Sequence, residues 1–367
     1  MVSYDGFGPE KILEVYNPRL GMRGVVVLDN LSLGPGKGGI RMTPSVSVDE
    51  VARLARAMTW KNALAELPFG GAKAGIIADP KKMSPQLKDA HIAAFAEAIK
   101  AVCPSQYVAG PDMNTTEHEM GVFVRANGNK KSATGKPSAM GGLPHELGST
   151  GFGVYHATLQ ALAHKGLSPK RITFAVEGFG NVGVFAARYL SEAGAKCVAV
   201  SDSKGVIYNE SGINIQKLEA AKDKSGTVTS YPGKILSNHD VVAVNADVLI
   251  TAAIPDLIKM GDVDRMQAKI LVEGSNIPTT PDVEEMLHRK GVLVVPDFVA
   301  NAGGVISSYV EYIGKRKDFM FRMVEDKLVR NTKMVLDHAA KKGMKPRDAA
   351  LVIAQERVLK ECKICKI

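Results

Sequence analysis

Lys37, Lys61, Lys73 and Asp112 are the residues of this sequence best suited by type and setting to do chemistry. Lys37 stands in the run Gly34-Pro-Gly-Lys37-Gly38-Gly39, and Lys73 in Gly70-Gly-Ala-Lys73-Ala-Gly75. Small neighbours let a ligand approach an ammonium closely. A lysine held among other cations has its pKa pushed down, so that it can act as a base near neutral pH. Asp112, between Pro111 and Met113-Asn114-Thr115, adds a carboxylate that can exchange protons. Lys61 follows Met58 by three residues and Leu54 by seven, which puts it on the apolar stripe of a helix, where lysines commonly snorkel. Taken singly, each of these is equally well an ordinary surface residue. Together they are not bland, and the net charge of +9 leans mildly towards an acidic small molecule as ligand.

A second constellation is Gly178-Phe-Gly180-Asn181-Val182-Gly183. It follows the apolar run Ile172-Val176, opens a helix from Val184 to Glu192, and precedes a second strand. That context makes it a dinucleotide-binding turn, in which backbone N–H groups at a helix N-terminus meet the pyrophosphate. Asp202 lies 24 residues after Gly178, where an acid meets the ribose 2′-hydroxyl of NAD. Lys204, two residues on, would suit the 2′-phosphate of NADP. The acid tips the balance towards NAD, and either cofactor stays open.

The elements that must position these groups form two α/β halves. The first has a β-rich stretch at Arg23-Leu28, a helix opened by a capping box at Ser47-Val-Asp-Glu50 with the stripe Val51, Leu54, Ala55, Met58, and a helix from Ser84-Pro85. Pro68 ends the former. Glycine-rich sequence at 141–153 marks a boundary, followed by a helix at Val154-Leu162. Beyond it, strand-like runs at Ile172-Val176, Cys197-Ser201, Val248-Thr251, Ile270-Val272 and Val292-Val295 alternate with helical stretches. That alternation argues for a parallel sheet of βαβ units. After Asn301 the pattern is helical, including Asp318-Lys342 and Arg347-Cys362. The expected division is 1–147 for substrate and oligomer contacts, with helices 330–367 returning to it, and 148–329 for a Rossmann-type cofactor domain.

Composition narrows the classes. The chain has 367 residues, 45% hydrophobic and 23% charged, which excludes a disordered protein. No run approaches the ~18 apolar residues of a spanning helix, and no secretory signal is visible, so a cytoplasmic location without membrane contact is expected. The net charge of +9 is spread along the chain without a basic tail or stripe, so no nucleic-acid partner is expected. Four cysteines (Cys103, Cys197, Cys362, Cys365) make no disulfide framework. Cys362-Lys-Ile-Cys365 has zinc-hook spacing but no completing ligands; a frayed tail, with no metal, is the better expectation.

Seven motifs resemble the glutamate/leucine/phenylalanine/valine dehydrogenase superfamily over nearly the whole chain: Gly34-Pro-Gly-Lys-Gly-Gly-Ile-Arg-Met42, Met58-Thr-Trp-Lys-Asn62, Pro68-Phe-Gly-Gly-Ala-Lys73, Gly110-Pro-Asp-Met-Asn-Thr115, Gly178-Phe-Gly-Asn-Val-Gly183, Val272-Glu-Gly-Ser-Asn276 and Asn301-Ala-Gly-Gly-Val305. Their order and spacing match as well, with Lys37 to Lys61 at 24 residues and Lys61 to Lys73 at 12. The resemblance implies two α/β domains with a cleft between them. It also implies that Lys61 holds the substrate α-carboxylate, that Lys73 is the catalytic base acting through water, and that Asp112 exchanges protons with the amino group. Asn301 would position substrate and nicotinamide, Thr150 would line the same cleft, and Asn276 would face the cofactor. Gly38 and Gly39 would border the substrate. Lys37 and Ser308, seven residues after Asn301, match the cation and hydroxyl that glutamate enzymes present to the distal carboxylate. A buried ammonium without its carboxylate is costly, so this pair selects against apolar side chains. The implied reaction is reversible deamination of L-glutamate to 2-oxoglutarate and ammonia. A branched-chain amino-acid dehydrogenase and a silent nucleotide-binding relative are the alternatives. The N-terminus is shorter than the helical extension that helps glutamate enzymes form hexamers, and a homo-oligomer of open size is expected.

Overall fold

The structure is a computed structural model and describes residues 2–365. The chain divides into two compact units. The first comprises residues up to Leu147, with Val305–Met320 and the segment from Val352 onward; the second comprises Gly148–Gly304 and Phe321–Leu351. Of the tail expected to return to the first domain, residues from 352 onward group with it, while 330–351 group with the second unit.

The first unit contains β1 (Lys11–Asn17), β2 (Met22–Asn30), β3 (Gly36–Lys37), β4 (Ile40–Thr43), α1 (Val48–Leu64), β5 (Gly70–Ile77), α2 (Pro85–Ala98), β6 (Tyr107–Val108) and α3 (Glu117–Asn127). Its sheet runs β1-β2-β5-β3-β6, with β4 also on β5. The unbroken apolar run of β2 is explained by cover on both faces. Val26 and Leu28 join Ile76, Phe95 and Phe123 in one core, while Val25 and Val27 join Val46, Val51 and Ala55 in another.

Helix α1 departs from its sequence pattern twice. Ser47 caps it by accepting from Glu50 N, but Glu50 does not complete the expected box; its carboxylate takes Arg41 at 2.6 Å instead. A charge-assisted bond outcompetes one to a neutral amide. The buried face also lies at Val51, Ala52, Ala55, Thr59 and Asn62, leaving Leu54, Met58 and Lys61 half-buried at its flank. The cause is close packing on β5: a side chain at Gly71 would meet Thr59 N at 2.3 Å. Thr59 and Asn62 tolerate burial because they donate to Asp29 (2.5 Å) and to Gly70 O (2.7 Å).

The second unit contains α4 (Ser149–His164), β7 (Thr173–Glu177), α5 (Asn181–Glu192), β8 (Lys196–Asp202), β9 (Gly205–Tyr208), α6 (Ile215–Ser225), β10 (Lys234–Leu236), β11 (Val248–Thr251), β12 (Ile270–Glu273), α7 (Pro281–Arg289), β13 (Leu293–Val295) and α8 (Asp297–Ala300). The helices α9 (Gly303–Tyr312), α10 (Lys317–Lys342) and α11 (Pro346–Glu361) contribute residues to both units. The sheet order is β10-β9-β8-β7-β11-β12-β13. Five strands are parallel as expected, but β9 and β10 add an antiparallel edge. The turn from Asp202 to Gly205 is too short for a crossover, so β9 must fold back on β8. Among the described residues no helix is long and apolar enough to cross a membrane.

The tail is tied rather than frayed. Cys362 and Cys365 form a disulfide, and Asn30 donates to Cys365 Sγ at 3.4 Å. Two cysteines three apart at a helix end close a small loop of their own without any wider framework.

Candidate active site

In the first unit the topology brings Lys37, Lys73 and Asp112 together. Strand β3 lies between β5 and β6, pairing Lys37 with Gly71 on one side and Val108 on the other. Lys73 stands two residues along β5 from Gly71, on the same face by strand alternation. The loop after β6 brings Asp112 to within 2.9 Å of Lys73 Nζ. Arg41 on β4 donates to the same carboxylate oxygen at 3.2 Å. Burial works to raise the Asp112 carboxyl, but the charges of Lys73 and Arg41 outweigh it and hold the group below the usual range. The two residues expected to serve as base and proton relay are therefore in contact, with the carboxylate kept ionised.

Gly38 and Gly39 make this assembly sterically feasible. A side chain on Gly38 would fall 1.7 Å from Ala72 O, and one on Gly39 would fall 2.7 Å from Asp112 Cβ. The backbone of this loop thus passes directly against the strand of Lys73 and the turn of Asp112.

Lys37 is 4% exposed and donates to Ala109 O at 2.8 Å. Among the described residues no carboxylate lies within ion-pair distance of it. Burial pushes its ammonium down to about 7, with the charge of Glu311 opposing and those of Lys73 and Lys136 assisting. Burial therefore loosens the proton of Lys37. Lys61 is half-buried in the last turn of α1, and Ser308 is half-buried on α9, in the part grouped with the first unit.

In the second unit, β7 is flanked by β8 and β11, so the turn after it sits where strand order reverses, the usual place for a nucleotide. Gly178 takes a left-handed φ of 87°, which only glycine adopts freely. A side chain at Gly183 would meet Gly178 O at 1.9 Å, so α5 can pack this close only with glycine there. Nothing lies within 4 Å of a side-chain position on Gly180, which leaves open space at the start of α5 beside Asn181 and Val182. These features fit a pyrophosphate. Asp202 ends β8 and accepts from Lys204 N (2.8 Å), Val228 N (2.7 Å) and Thr227 Oγ1 (3.2 Å), while Lys204 is exposed.

Asn276 and Asn301 meet directly, Asn301 Nδ2 donating to Asn276 Oδ1 at 2.9 Å and to Gly274 O at 3.3 Å. Thr150, in the first turn of α4, lies against the Gly303-Gly304 backbone that follows Asn301. Three residues far apart in sequence thus share one corner of the second unit.

Two sequence models of one family cover most of the chain. Glu/Leu/Phe/Val dehydrogenase, dimerisation domain, matches residues 9–128, and Glutamate/Leucine/Phenylalanine/Valine dehydrogenase matches residues 141–364. The chain belongs to this family. Glutamate dehydrogenase of Aeropyrum pernix is 41% identical over 357 residues, covering 91% of this chain and 84% of that protein. An NADP-specific glutamate dehydrogenase of Saccharolobus shibatae is 35% identical, covering 91% and 83%. The crystal structure of hetero-hexameric glutamate dehydrogenase from Thermus thermophilus, Leu-bound, superposes with a TM-score of 0.86 at 28% identity, covering 98% of this chain and 90% of that one.

Arg41, Lys136 and Glu311 also belong to the charged cluster of Lys37, Lys73 and Asp112, although no motif singled them out. Arg41 was in view within the Gly34-Met42 motif. Glu311 could have been found from its position three residues after Ser308 on the same helix face. Lys136 carries no signal beyond its place in Gly135-Lys-Pro137.

Proposed function

We propose that this chain is a dehydrogenase that reversibly deaminates L-glutamate to 2-oxoglutarate and ammonia with NAD or NADP. One observation carries the substrate assignment: Lys37 is a deeply buried ammonium whose sole hydrogen bond among the described residues goes to a backbone carbonyl. Such a group either gives up its proton or is met by an anion, and an arriving carboxylate supplies the second. The naming of relatives at 35–41% identity as glutamate dehydrogenases supports the same reading over a branched-chain enzyme or a silent relative.

On this reading Lys37 and Ser308 take the distal carboxylate, bordered by Gly38 and Gly39, and Lys61 takes the α-carboxylate. Bound nicotinamide dinucleotide supplies the hydride acceptor, held by Gly178, Gly180, Asn181, Val182 and Gly183 at the pyrophosphate and by Thr150, Asn276 and Asn301 near the ring. Once the α-carbon has been oxidised to an iminium, Lys73 in its neutral form, having first released its own proton, would take one from the attacking water. Asp112, already 2.9 Å from Lys73, passes protons to the departing amine. Asp202 accepts three bonds and keeps room for a ribose hydroxyl, while its charge disfavours a 2′-phosphate; this favours NAD over any pairing of Lys204 with NADP. The first unit, whose family description is a dimerisation domain, would build a homo-oligomer.

The test is the initial rate of reduced-nicotinamide formation with L-glutamate and with L-leucine, each with NAD and NADP, for the wild type and Lys37→Leu. The expected result is glutamate activity that falls at least about 100-fold in the variant, as loss of a buried ionic partner predicts. Leucine activity in the wild type would overturn the substrate, and preference for NADP would overturn the cofactor reading.

A further inference from the structure

Glu311 is almost wholly enclosed, its side chain 1% exposed, yet no step of the proposed reaction uses it. Its Oε1 accepts from Lys136 Nζ at 2.5 Å and from Lys136 N at 3.4 Å. Its Oε2 accepts from Gly135 N at 3.0 Å and from Leu143 N at 2.9 Å. One carboxylate on α9 therefore fixes both ends of the loop from Gly135 to Leu143.

That loop continues directly to Lys37. Lys136 Nζ also donates to Ala133 O at 2.8 Å. The adjoining Thr134 N donates at 3.0 Å to Ala109 O, the carbonyl that receives the Lys37 ammonium. The ammonium also lies over Gly110, where a side chain would come within 2.5 Å of Nζ. Glu311 thus holds the support on which Lys37 rests, and sits one helical turn beyond Ser308 on the same helix.

We propose that Glu311 is a positioning residue for recognition of the substrate's distal carboxylate, locking the 135–143 loop under Lys37 and serving as that lysine's counter-charge until substrate arrives. The inference rests on the reading of Lys37 as the distal-carboxylate cation.

The charged and titratable groups facing Lys37 are Glu311, which favours its ammonium, Lys73 and Lys136, which oppose it, and Cys103. Burial pushes the Cys103 thiol up to about 12, so it stays neutral at working pH. With Lys37 at about 7, the free enzyme above that pH holds a growing fraction of neutral amine. An arriving carboxylate then requires Lys37 to gain a proton from solvent. Removing the charge of Glu311 removes the largest influence that favours the ammonium, so this requirement sets in at lower pH.

The experiment compares wild type, Glu311→Gln, Glu311→Asp and Lys37→Leu. It reads kcat/KM for glutamate relative to L-norvaline, which has a methyl group where glutamate has its carboxylate, between pH 6 and 9. Glu311→Gln is expected to lower the glutamate-to-norvaline ratio about tenfold. It should also move the rise of glutamate KM about one pH unit lower, with partial recovery in Glu311→Asp. A general loss of structure would lower both substrates together and leave the ratio and the pH of the rise unchanged, which overturns the proposal. If Glu311→Gln does not fold, the wild type decides by calorimetry of 2-oxoglutarate binding at pH 8 in two buffers of different ionisation enthalpy. Proton uptake supports the proposal and its absence overturns it. If Lys37→Leu leaves the ratio intact, the function assigned to Lys37 fails; if it collapses the ratio while Glu311→Gln does not, only the present inference fails.

Discussion

Each unit buries a cluster of charges, and the two clusters are unbalanced in opposite directions. In the first unit Lys37, Lys73 and Lys136 face the carboxylates of Asp112 and Glu311. In the second, one guanidinium faces three carboxylates: Arg347 meets Glu284 at 2.5 Å, Glu273 at 2.7 Å and Asp297 at 3.0 Å. The surplus negative charge there is absorbed internally. Asp297 N and Thr279 Oγ1 donate to Glu273, and Ile277 N donates to Asp297. Burial also pushes Glu273 up to about 8, against the pull of Arg347, so one carboxyl keeps its proton near neutrality. The surplus positive charge in the first unit is met less directly: among the described residues Lys37 donates only to a backbone carbonyl, and Glu311 acts on it from beyond ion-pair distance. A buried imbalance satisfied from within builds structure, whereas one left open awaits a ligand.

The sharpest way to break this contrast is to remove the central cation of the second cluster. Arg347→Met strands three carboxylates, two of them almost fully buried, and is expected to destabilise the protein by about 3–5 kcal/mol, read as a loss of midpoint in chemical denaturation. It should also loosen nucleotide binding, because Glu273 and Asp297 begin the segments that carry Asn276 and Asn301. A loss below about 1 kcal/mol would show that the cluster is not held by Arg347.

Removing the open cation should do the reverse. Lys37→Leu is expected to stabilise the ligand-free protein by about 1–3 kcal/mol while destroying glutamate turnover. Because the folded-state pKa of Lys37 lies below its unfolded value of 10.5, the burden is fully present below pH 7 and eases as pH rises towards 10.5. The gain should therefore be largest at pH 6 and shrink by pH 9 in paired melts. A destabilised Lys37→Leu at pH 6 would contradict the open-cation reading.

The smallest effect concerns pH in the second cluster. Glu273 has its folded pKa raised from 4.5 to about 8, so its protonation contributes stability that is complete below pH 4.5 and lost as pH rises through about 8. The melting temperature should fall between about pH 5 and 8, by a few degrees, and level off above that, and Glu273→Gln should flatten the slope. An unchanged slope in the variant would assign the dependence to other groups.

Much of this arrangement was legible in the sequence because it resides in local runs. The glycine loops announced Lys37 and Lys73, and strand–turn–helix order announced the nucleotide turn. What escaped was long-range pairing. Glu311 and Lys136 are 175 residues apart, and Arg347 reaches carboxylates 50 to 74 residues away; no periodicity records such partners. The buried face of α1 was misplaced for a related reason. Hydrophobicity favoured Leu54 and Met58, but the tight approach to Gly71 favoured the small polar residues Thr59 and Asn62, whose hydrogen bonds appear only once β2 and β5 are in place.

The discontinuity of the first unit also has a consequence for biosynthesis. Domains usually fold in order as they leave the ribosome. Here the segment up to Leu147 emerges without Glu311, which locks its 135–143 loop, and without Arg357, which donates to the carbonyls of Ala63 and Leu64 at the end of α1. Both are translated only after residues 148–304 of the second unit. The nascent first unit must therefore wait with Lys136 lacking its carboxylate and the C-terminal carbonyls of α1 lacking Arg357, and its buried charges can settle only once translation has passed the segment that completes them.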